Sequence, residues 1–297
     1  LALCDQCKGG EYTIMGKKIN MTEEEIQQLI GYYQQGLSQI NTGKKMNCSG
    51  HYVRKILKQY NIHIRTDSEQ ATKYSYNENY FETIDSEDKA YWLGFIYADG
   101  YVSCGTKYQS NKLGIAIKLS DIEHLNKFKQ HIQASHPINE YTSNTSYGKI
   151  KYCRIVLVGN KFVNNLINKG VSEHKSTIIT FPTEEQVPKK FIYHFIRGYF
   201  DGNGSISIKK GKDKYVDSYR FSISSTKEFL ISVQEIFNKN QKLQKRHDNE
   251  VNNYSIEIGG NQQVYKMLYK LYDNANIYLD RKYDRYLKLK EYILNIS

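Results

Sequence analysis

The sequence predicts an α/β chain of the α+β kind, with two pseudo-symmetric repeats built on antiparallel sheets and a small all-α module ahead of them. Three observations predict it. Two apolar helical segments, 92–100 and 196–204, end alike, with Gly94 matching Gly198 and Asp99 matching Asn203 at one common offset. Each is followed by strand-like runs, at 101–119 and 205–225, that place alternate side chains on one face. Before them, residues 21–65 carry three short apolar stripes at helical spacing.

Composition narrows the functional classes. The chain has 297 residues, 39% of them hydrophobic, enough for two or three modules with buried cores. No run approaches the ~20 apolar residues that span a bilayer. The start shows no charged-then-apolar signal pattern, so an intracellular setting is expected. A net charge of +11 favours a polyanionic partner, with simple solubility as the plain alternative. Lysines exceed arginines, which suits phosphate contact more than bidentate base reading. Five cysteines are scattered and odd in number, against a disulfide framework. Cys4 with Cys7 and Cys48 with His51 have zinc-like spacing, but the interval between the pairs is long, and free thiols are the simpler reading.

Residues 1–20 carry Gly9, Gly10 and Gly16 without a period and form an N-terminal tail. In the module at 21–65, Thr22 and Glu25 have capping-box spacing, followed by the stripe Ile26, Leu29, Ile30, Tyr33. Gly36 is placed to end that helix. Ser38 starts a second, short helix to about Lys45, and 47–50 read as a turn. A third helix carries Val53, Ile56, Leu57 and Tyr60 on one face and Arg54, Lys55 and Lys58 on others. This order resembles a resolvase-type helix-turn-helix, with the third helix as the recognition helix. A plain three-helix cap is the structural alternative, but the basic outer face favours DNA.

Residues 66–85 are polar and tyrosine-rich and read as a linker. Two copies of one unit follow, at 86–181 and 191–297, joined by a polar connector at 182–190. Asp121 begins a helix with Ile122, Leu125, Phe128 and Ile132 on one face, and Thr226 begins its counterpart with Phe229, Val233, Ile236 and Phe237. The strand-like 154–158 matches 254–258, the helix 160–169 matches 261–273, and Lys175 matches Lys282. The unit reads as helix, two strands, helix, strands, helix. A pseudo-twofold chain suits a duplex of near-twofold geometry.

Ser86 is placed to cap the first of the two matched helices, with Glu87 and Asp88 in its first turn. Ala90, Gly94 and Ala98 recur every fourth residue, and small residues let two helix backbones approach closely. Such an approach would set Asp99 and Asn203 side by side. For one copy alone, a buried helix with a glycine-terminated end is the better reading. Duplication at a fixed offset favours a site.

The two segments resemble the signature helices of the LAGLIDADG homing endonucleases, strongly at the first copy. The resemblance covers about residues 86–290. It implies saddle-shaped antiparallel sheets, a monomer on a long double-stranded DNA site, and Mg²⁺- or Mn²⁺-dependent hydrolysis leaving short 3′ overhangs, in service of intron or other selfish-element mobility. The final residue of each signature, Asp99 and Asn203, is implied to bind metal and catalyse, together with the Ala98 carbonyl beside Asp99 and the Gly202 carbonyl beside Asn203. Lys175 and Lys282 correspond to the family's basic residue near the active site, where a cation stabilises phosphorane-like charge; a plain phosphate contact is the alternative. Gly94 and Gly198 form the helix interface. Asp201 matches an acid that is usually structural.

Asn203 departs from the family's aspartate. It keeps an oxygen ligand without the charge, so metal affinity and water activation at that half should fall. An engineered replacement, a strand-specific nickase and a binding-only protein all fit it, and an RNA maturase is a further alternative. The helix-turn-helix favours DNA, because side chains cannot enter the narrow A-form major groove. Candidates for the DNA-facing strand surface are Lys107, Gln109, Asn111, Lys112, Lys118, Lys209, Lys212 and Arg220, besides Arg54, Lys55 and Lys58 in the module.

Overall fold

The computed structural model describes residues 13–14, 17–18, 21–65, 74–106, 109–145, 148–173, 175–211, 217–246 and 251–295. Lys107, Lys212, Cys4 and Cys7 lie outside the described residues. The chain divides into two compact units, Leu1–Lys73 and Tyr74–Ser297.

In the first unit a minimal hairpin, β1 (Thr13–Ile14) and β2 (Lys17–Lys18), precedes three helices: α1 (Glu23–Gln34), α2 (Gln39–Lys45) and α3 (Gly50–Gln59). The capping box is formed: Thr22 N donates to Glu25 Oε2 at 2.8 Å, and Glu25 N donates to Thr22 Oγ1 at 3.3 Å. Ser38 and Ser49 cap α2 and α3 through their hydroxyls. Gly36 leaves α1 at φ +104°, a conformation that suits glycine. Leu29, Ile30, Tyr33, Tyr52, Val53, Ile56 and Leu57 make a small core, and Cys48 is a free, buried thiol packed into it. Arg65 donates to the carbonyls of Tyr33, Gly36 and Leu37, placing a cation on the C-terminal end of α1.

The second unit repeats one layout twice. Helix α4 (Glu87–Asp99) runs into β3 (Gly100–Ser103), β4 (Lys112–Lys118), α5 (Ile122–His131), β5 (Asn139–Thr145), β6 (Gly148–Val158) and α6 (Asn160–Asn168). Helix α7 (Ile192–Asn203) runs into β7 (Gly204–Lys209), β8 (Ser218–Ser225), α8 (Lys227–Phe237), β9 (Gln244–Lys245), β10 (Tyr254–Gly259) and α9 (Asn261–Tyr272), and α10 (Asp280–Asn295) follows. The antiparallel sheets have the orders β3-β4-β6-β5 and β7-β8-β10-β9, the same path in each copy. The copies part at their ends, because Lys175 sits in a short 3₁₀ turn while Lys282 sits on the 16-residue α10. Among the described residues no helix is long and apolar enough to cross a membrane.

Residues 74–85 differ from the expected linker. Tyr80, Phe81 and Ile84 are buried in the main core, and Tyr76 packs edge-on to Phe162. The aromatic residues lack a regular period, so the pattern hid their burial.

The repeats meet along α4 and α7. A Cβ on Gly94 would lie 2.0 Å from the Phe195 carbonyl oxygen, and one on Gly198 would lie 1.9 Å from that of Tyr91. Backbone therefore touches backbone at two pseudo-equivalent points. Buried Arg197 ties the pair. It donates to Glu87 at 2.6 Å and to the carbonyls of Ile277 and Leu271 at 2.8 Å each. Glu87 also accepts from the backbone and side chain of Asn276. Burial alone would raise the Glu87 pKa, but the Asn276 donors and Arg197 outweigh it and hold it below its ordinary value. A depressed carboxylate contributes stability above its unfolded pKa and loses it as pH falls through the folded one. Acidification is thus expected to weaken the helix pair, and Glu87→Gln should show a shallower fall of Tm on the acid side than the wild type. An unchanged slope would count against this.

Candidate active site

Helix α4 starts where Ser86 Oγ accepts from Lys89 N at 3.5 Å, with Glu87 and Asp88 in the first turn. Both paired helices stop abruptly, since Gly100 and Gly204 turn straight into strands with extended backbones. A Cβ on Gly204 would lie 2.0 Å from Phe200 Cδ2, so the turn needs glycine there. Asp99 and Asn203 are thereby fixed at two abutting helix C-termini.

The contacts between these ends are crosswise. A Cβ on Gly202 would lie 2.3 Å from Ala98 Cβ and 3.2 Å from Asp99 Oδ2. Two cavities border the junction. One of about 280 Å³ is walled by Asp99, Gly202, Lys118, Asp121 and Arg281, among others. The other, of about 240 Å³, is walled by Asn203, Ala98, Lys175, Tyr199, Ser225 and Arg246, among others. Asp99 thus shares a cavity with Gly202, and Asn203 with Ala98.

Burial pushes the Asp99 carboxyl above its ordinary pKa, against the pull of Lys282, Lys175 and Arg281. Lys175 Nζ donates to the carbonyls of Tyr97 and Ala98, both at 2.6 Å. Lys282 Nζ donates to those of Phe200, Asp201 and Gly204, at 2.5, 2.8 and 2.6 Å. Lys175 satisfies two carbonyls that the end of α4 leaves open, Lys282 satisfies one at the end of α7, that of Asp201, and each sits at the negative pole of a helix dipole. Burial lowers both ammonium pKa values to about 8. Lys282 is almost wholly buried and is not on the wall of the Asp99 cavity, where Arg281 stands instead. The expectation of a phosphate-facing Lys282 is corrected on that ground.

Asp201 is buried and accepts from three groups: Tyr91 Oη at 2.6 Å, Tyr272 Oη, and Leu279 N at 2.8 Å. His124 Nε2 in turn lies 3.0 Å from Tyr91 Oη, and burial lowers the histidine pKa to about 3, so it is neutral. With Tyr91 donating to Asp201, the neutral ring donates to Tyr91. Asp201 is held away from both cavities and is structural. Asn203 is exposed and donates its amide to Tyr199 Oη at 3.2 Å.

A divalent cation with oxygen ligands fits the two cavities unequally. The Asp99 cavity offers two carboxylates, Asp99 and Asp121, beside Gly202. The Asn203 cavity has no carboxylate in its walls, and its Ala98 carbonyl already accepts from an ammonium. Among the described residues no group of three His, Cys, Asp or Glu could hold a metal alone. Asp99 would hold the cation, with the rest of the shell left to other oxygens.

On the sheets, Lys112 and Lys118 are exposed on the face of β4 opposite the core, and Lys209 and Arg220 are exposed on β7 and β8. Arg220 pairs with Glu257 at 3.0 Å. Gln109 is exposed. Asn111 is engaged internally, accepting from Gly105 N at 2.7 Å and donating to Asn164 at 3.0 Å, so it holds a loop rather than facing outward. In the first unit Arg54 and Lys58 are exposed and Lys55 half-buried on α3.

Residues 196–293 match the family model of the LAGLIDADG endonucleases. That segment is a LAGLIDADG domain. The first repeat has the same sheet order and presents its glycine and terminal acid to the same helix contact, which fits the single-chain, two-motif form of that family. Solved structures with a similar fold include the meganuclease I-SmaMI bound to uncleaveable DNA, at 12% identity and TM-score 0.46 over 68% of this chain and 88% of that one. The LAGLIDADG homing endonuclease I-GzeII with its DNA target is 14% identical, with TM-score 0.46 over 68% and 88%. I-LtrWI bound to target DNA is 12% identical, with TM-score 0.46 over 72% and 89%. No curated protein sequence matches the chain.

Proposed function

We propose that this chain is a site-specific DNA endonuclease that hydrolyses phosphodiester bonds in a long double-stranded target with Mg²⁺ or Mn²⁺. It acts as a monomer, in an intracellular setting, and promotes mobility of an intron or other selfish element. The observation that carries this reading is the placement of Asp99 in a cavity at the junction of two glycine-packed helix ends, with the two sheets repeated around them. When bound, the cation supplies charge neutralisation at the scissile phosphate and an activated water. Asp99 holds it. Lys175 and Lys282 keep the helix ends rigid and leave positive charge beside the site. The strand faces bearing Lys112, Lys118, Lys209 and Arg220 lie in the major groove.

Asn203 supports a second reading, a cleavage-impaired variant that nicks or only binds. Its amide is hydrogen-bonded to Tyr199 in a cavity whose walls hold no carboxylate. Cleavage of supercoiled plasmid carrying the target, by this chain and by Asn203→Asp, separates the readings. Linear product from the wild type supports two working centres, and nicked circles support one. Tight binding without any cut by either form would leave only a binding protein.

The three-helix unit serves as an additional DNA contact in this proposal. Lys58→Ala is expected to weaken binding to all duplexes alike and to reduce the salt slope of log Kd by about 1, as loss of one phosphate contact does. An unchanged salt slope would remove the module from the interface.

A further inference from the structure

We infer that Arg281 is a catalytic residue of the Asp99 centre, contacting the scissile phosphate, and that Asp121 positions it, an arrangement the Asn203 centre lacks. The inference rests on the nuclease reading above. Asp121 ends a 3₁₀ turn, Leu119–Asp121, inserted between β4 and α5. It would be the natural cap of α5, yet its carboxylate makes no cap hydrogen bond. It accepts instead from Arg281 Nε at 2.9 Å, with its side chain 9% exposed and that of Arg281 50% exposed. A partner this sheltered differs from the ordinary surface ion pair, which has little geometry to enforce.

Holding a guanidinium by Nε leaves its two terminal nitrogens free to act together. Among the described residues neither makes a hydrogen bond. A planar fork of that kind grips two phosphate oxygens, which an ammonium cannot do. Arg281, Asp121, Lys118 and Asp99 wall one cavity, so a phosphate reaching Asp99 meets this fork. In the hydrolysis, water adds at phosphorus, the bond to the departing sugar oxygen breaks, and that oxygen takes a proton. Arg281 exchanges no proton and stabilises the added charge.

The second repeat is built differently at this point. Gly100 pairs with Ile115 and Gly204 with Ile223, which sets the two hairpins in register. From there β8 passes through Thr226 alone into α8, with no 3₁₀ turn, and Thr226 Oγ1 points inward to the Ile179 carbonyl at 2.6 Å. The centres therefore differ in more than Asn203, and Asn203→Asp alone does not make them equal.

The test uses the full chain. Duplexes are recovered by binding selection from a randomised pool in EDTA, labelled on either strand, and cut under single-turnover conditions with Mg²⁺. Arg281→Gln is expected to slow cutting at the Asp99 centre by about 10²–10³-fold, with duplex affinity in EDTA unchanged. Arg281→Lys should not rescue it, and Asp121→Asn should cost less because its amide oxygen still accepts from Nε. In Asn203→Asp, any cut on the other strand should be slower and insensitive to Arg281→Gln. Cutting by Arg281→Gln at the wild-type rate, or affinity falling in step with rate, would overturn the role of Arg281 and leave the nuclease reading standing. A failure to recover any duplex, or recovered duplexes that the wild type never cuts, would sink the nuclease reading and Arg281's role with it.

Discussion

Asp99→Asn is expected to abolish strand cleavage while leaving folding and duplex binding intact. Asn is isosteric and keeps one oxygen, so the junction with Gly202 is preserved, but the carboxylate that the helix ends bring to the junction cavity is gone. Asp121 remains in the cavity, held by Arg281, and cannot replace it. A loss of about 10³-fold corresponds to ~4 kcal/mol at 1.36 kcal/mol per decade, within what a metal-held phosphate contributes. The measurement is single-turnover cleavage of the selected duplex beside its affinity in EDTA. Retention of wild-type cutting would move the active centre elsewhere. The same change made in reverse at the other helix, Asn203→Asp, should have a far smaller effect, because that cavity has no acid to join it.

Gly198→Val should unfold or nearly unfold the second unit. Any Cβ there falls 1.9 Å from the Tyr91 carbonyl oxygen, and the offending atom is backbone that cannot rotate away. Replacing a helical glycine by alanine ordinarily gains up to about 1 kcal/mol. Here overpacking costs about 3 kcal/mol or more, since the whole helix pair must separate, so even Gly198→Ala should destabilise. Gly259→Ala is the control, because a Cβ there meets nothing within 4 Å. Urea midpoints of the three variants decide it. Equal midpoints for Gly198→Ala and the wild type would mean that the helices separate at little cost.

Much of this was legible in the sequence because duplication turns weak signals into strong ones. Gly94 or Asp99 alone is an ordinary helix end; paired with Gly198 and Asn203 at one offset they locate the interface and the junction. Thr22, Ser38, Ser86 and Thr226 marked helix starts because a cap hydroxyl accepts from a backbone N–H three residues on, and each does so. What stayed hidden depends on contacts between distant segments. Lys282 and its neighbour Arg281 differ by one helical step, and only the packing of α10 decides that the first is buried against carbonyls and the second stands in the cavity. Asn111, expected on the DNA-facing strand surface, instead bonds to Gly105 and Asn164, and its spacing does not reveal that contact. Residues 74–85 concealed their burial because aromatic side chains in irregular backbone follow no period.

The buried bonds between the halves also decide which halves can pair. Aligned on their glycines, Tyr91 corresponds to Phe195, and Glu87 to Phe191. Asp201 takes one of its hydrogen bonds, and Arg197 its counter-charge, from the other repeat. Two copies of the second repeat would set Asp201 against Phe195, removing one of its three hydrogen bonds, and Arg197 against Phe191, leaving the buried guanidinium without its counter-charge at a cost of about 3–5 kcal/mol. The duplicated halves have thus become complementary rather than alike. A separated second repeat would find no stable mate in itself, and only the first repeat would complete it.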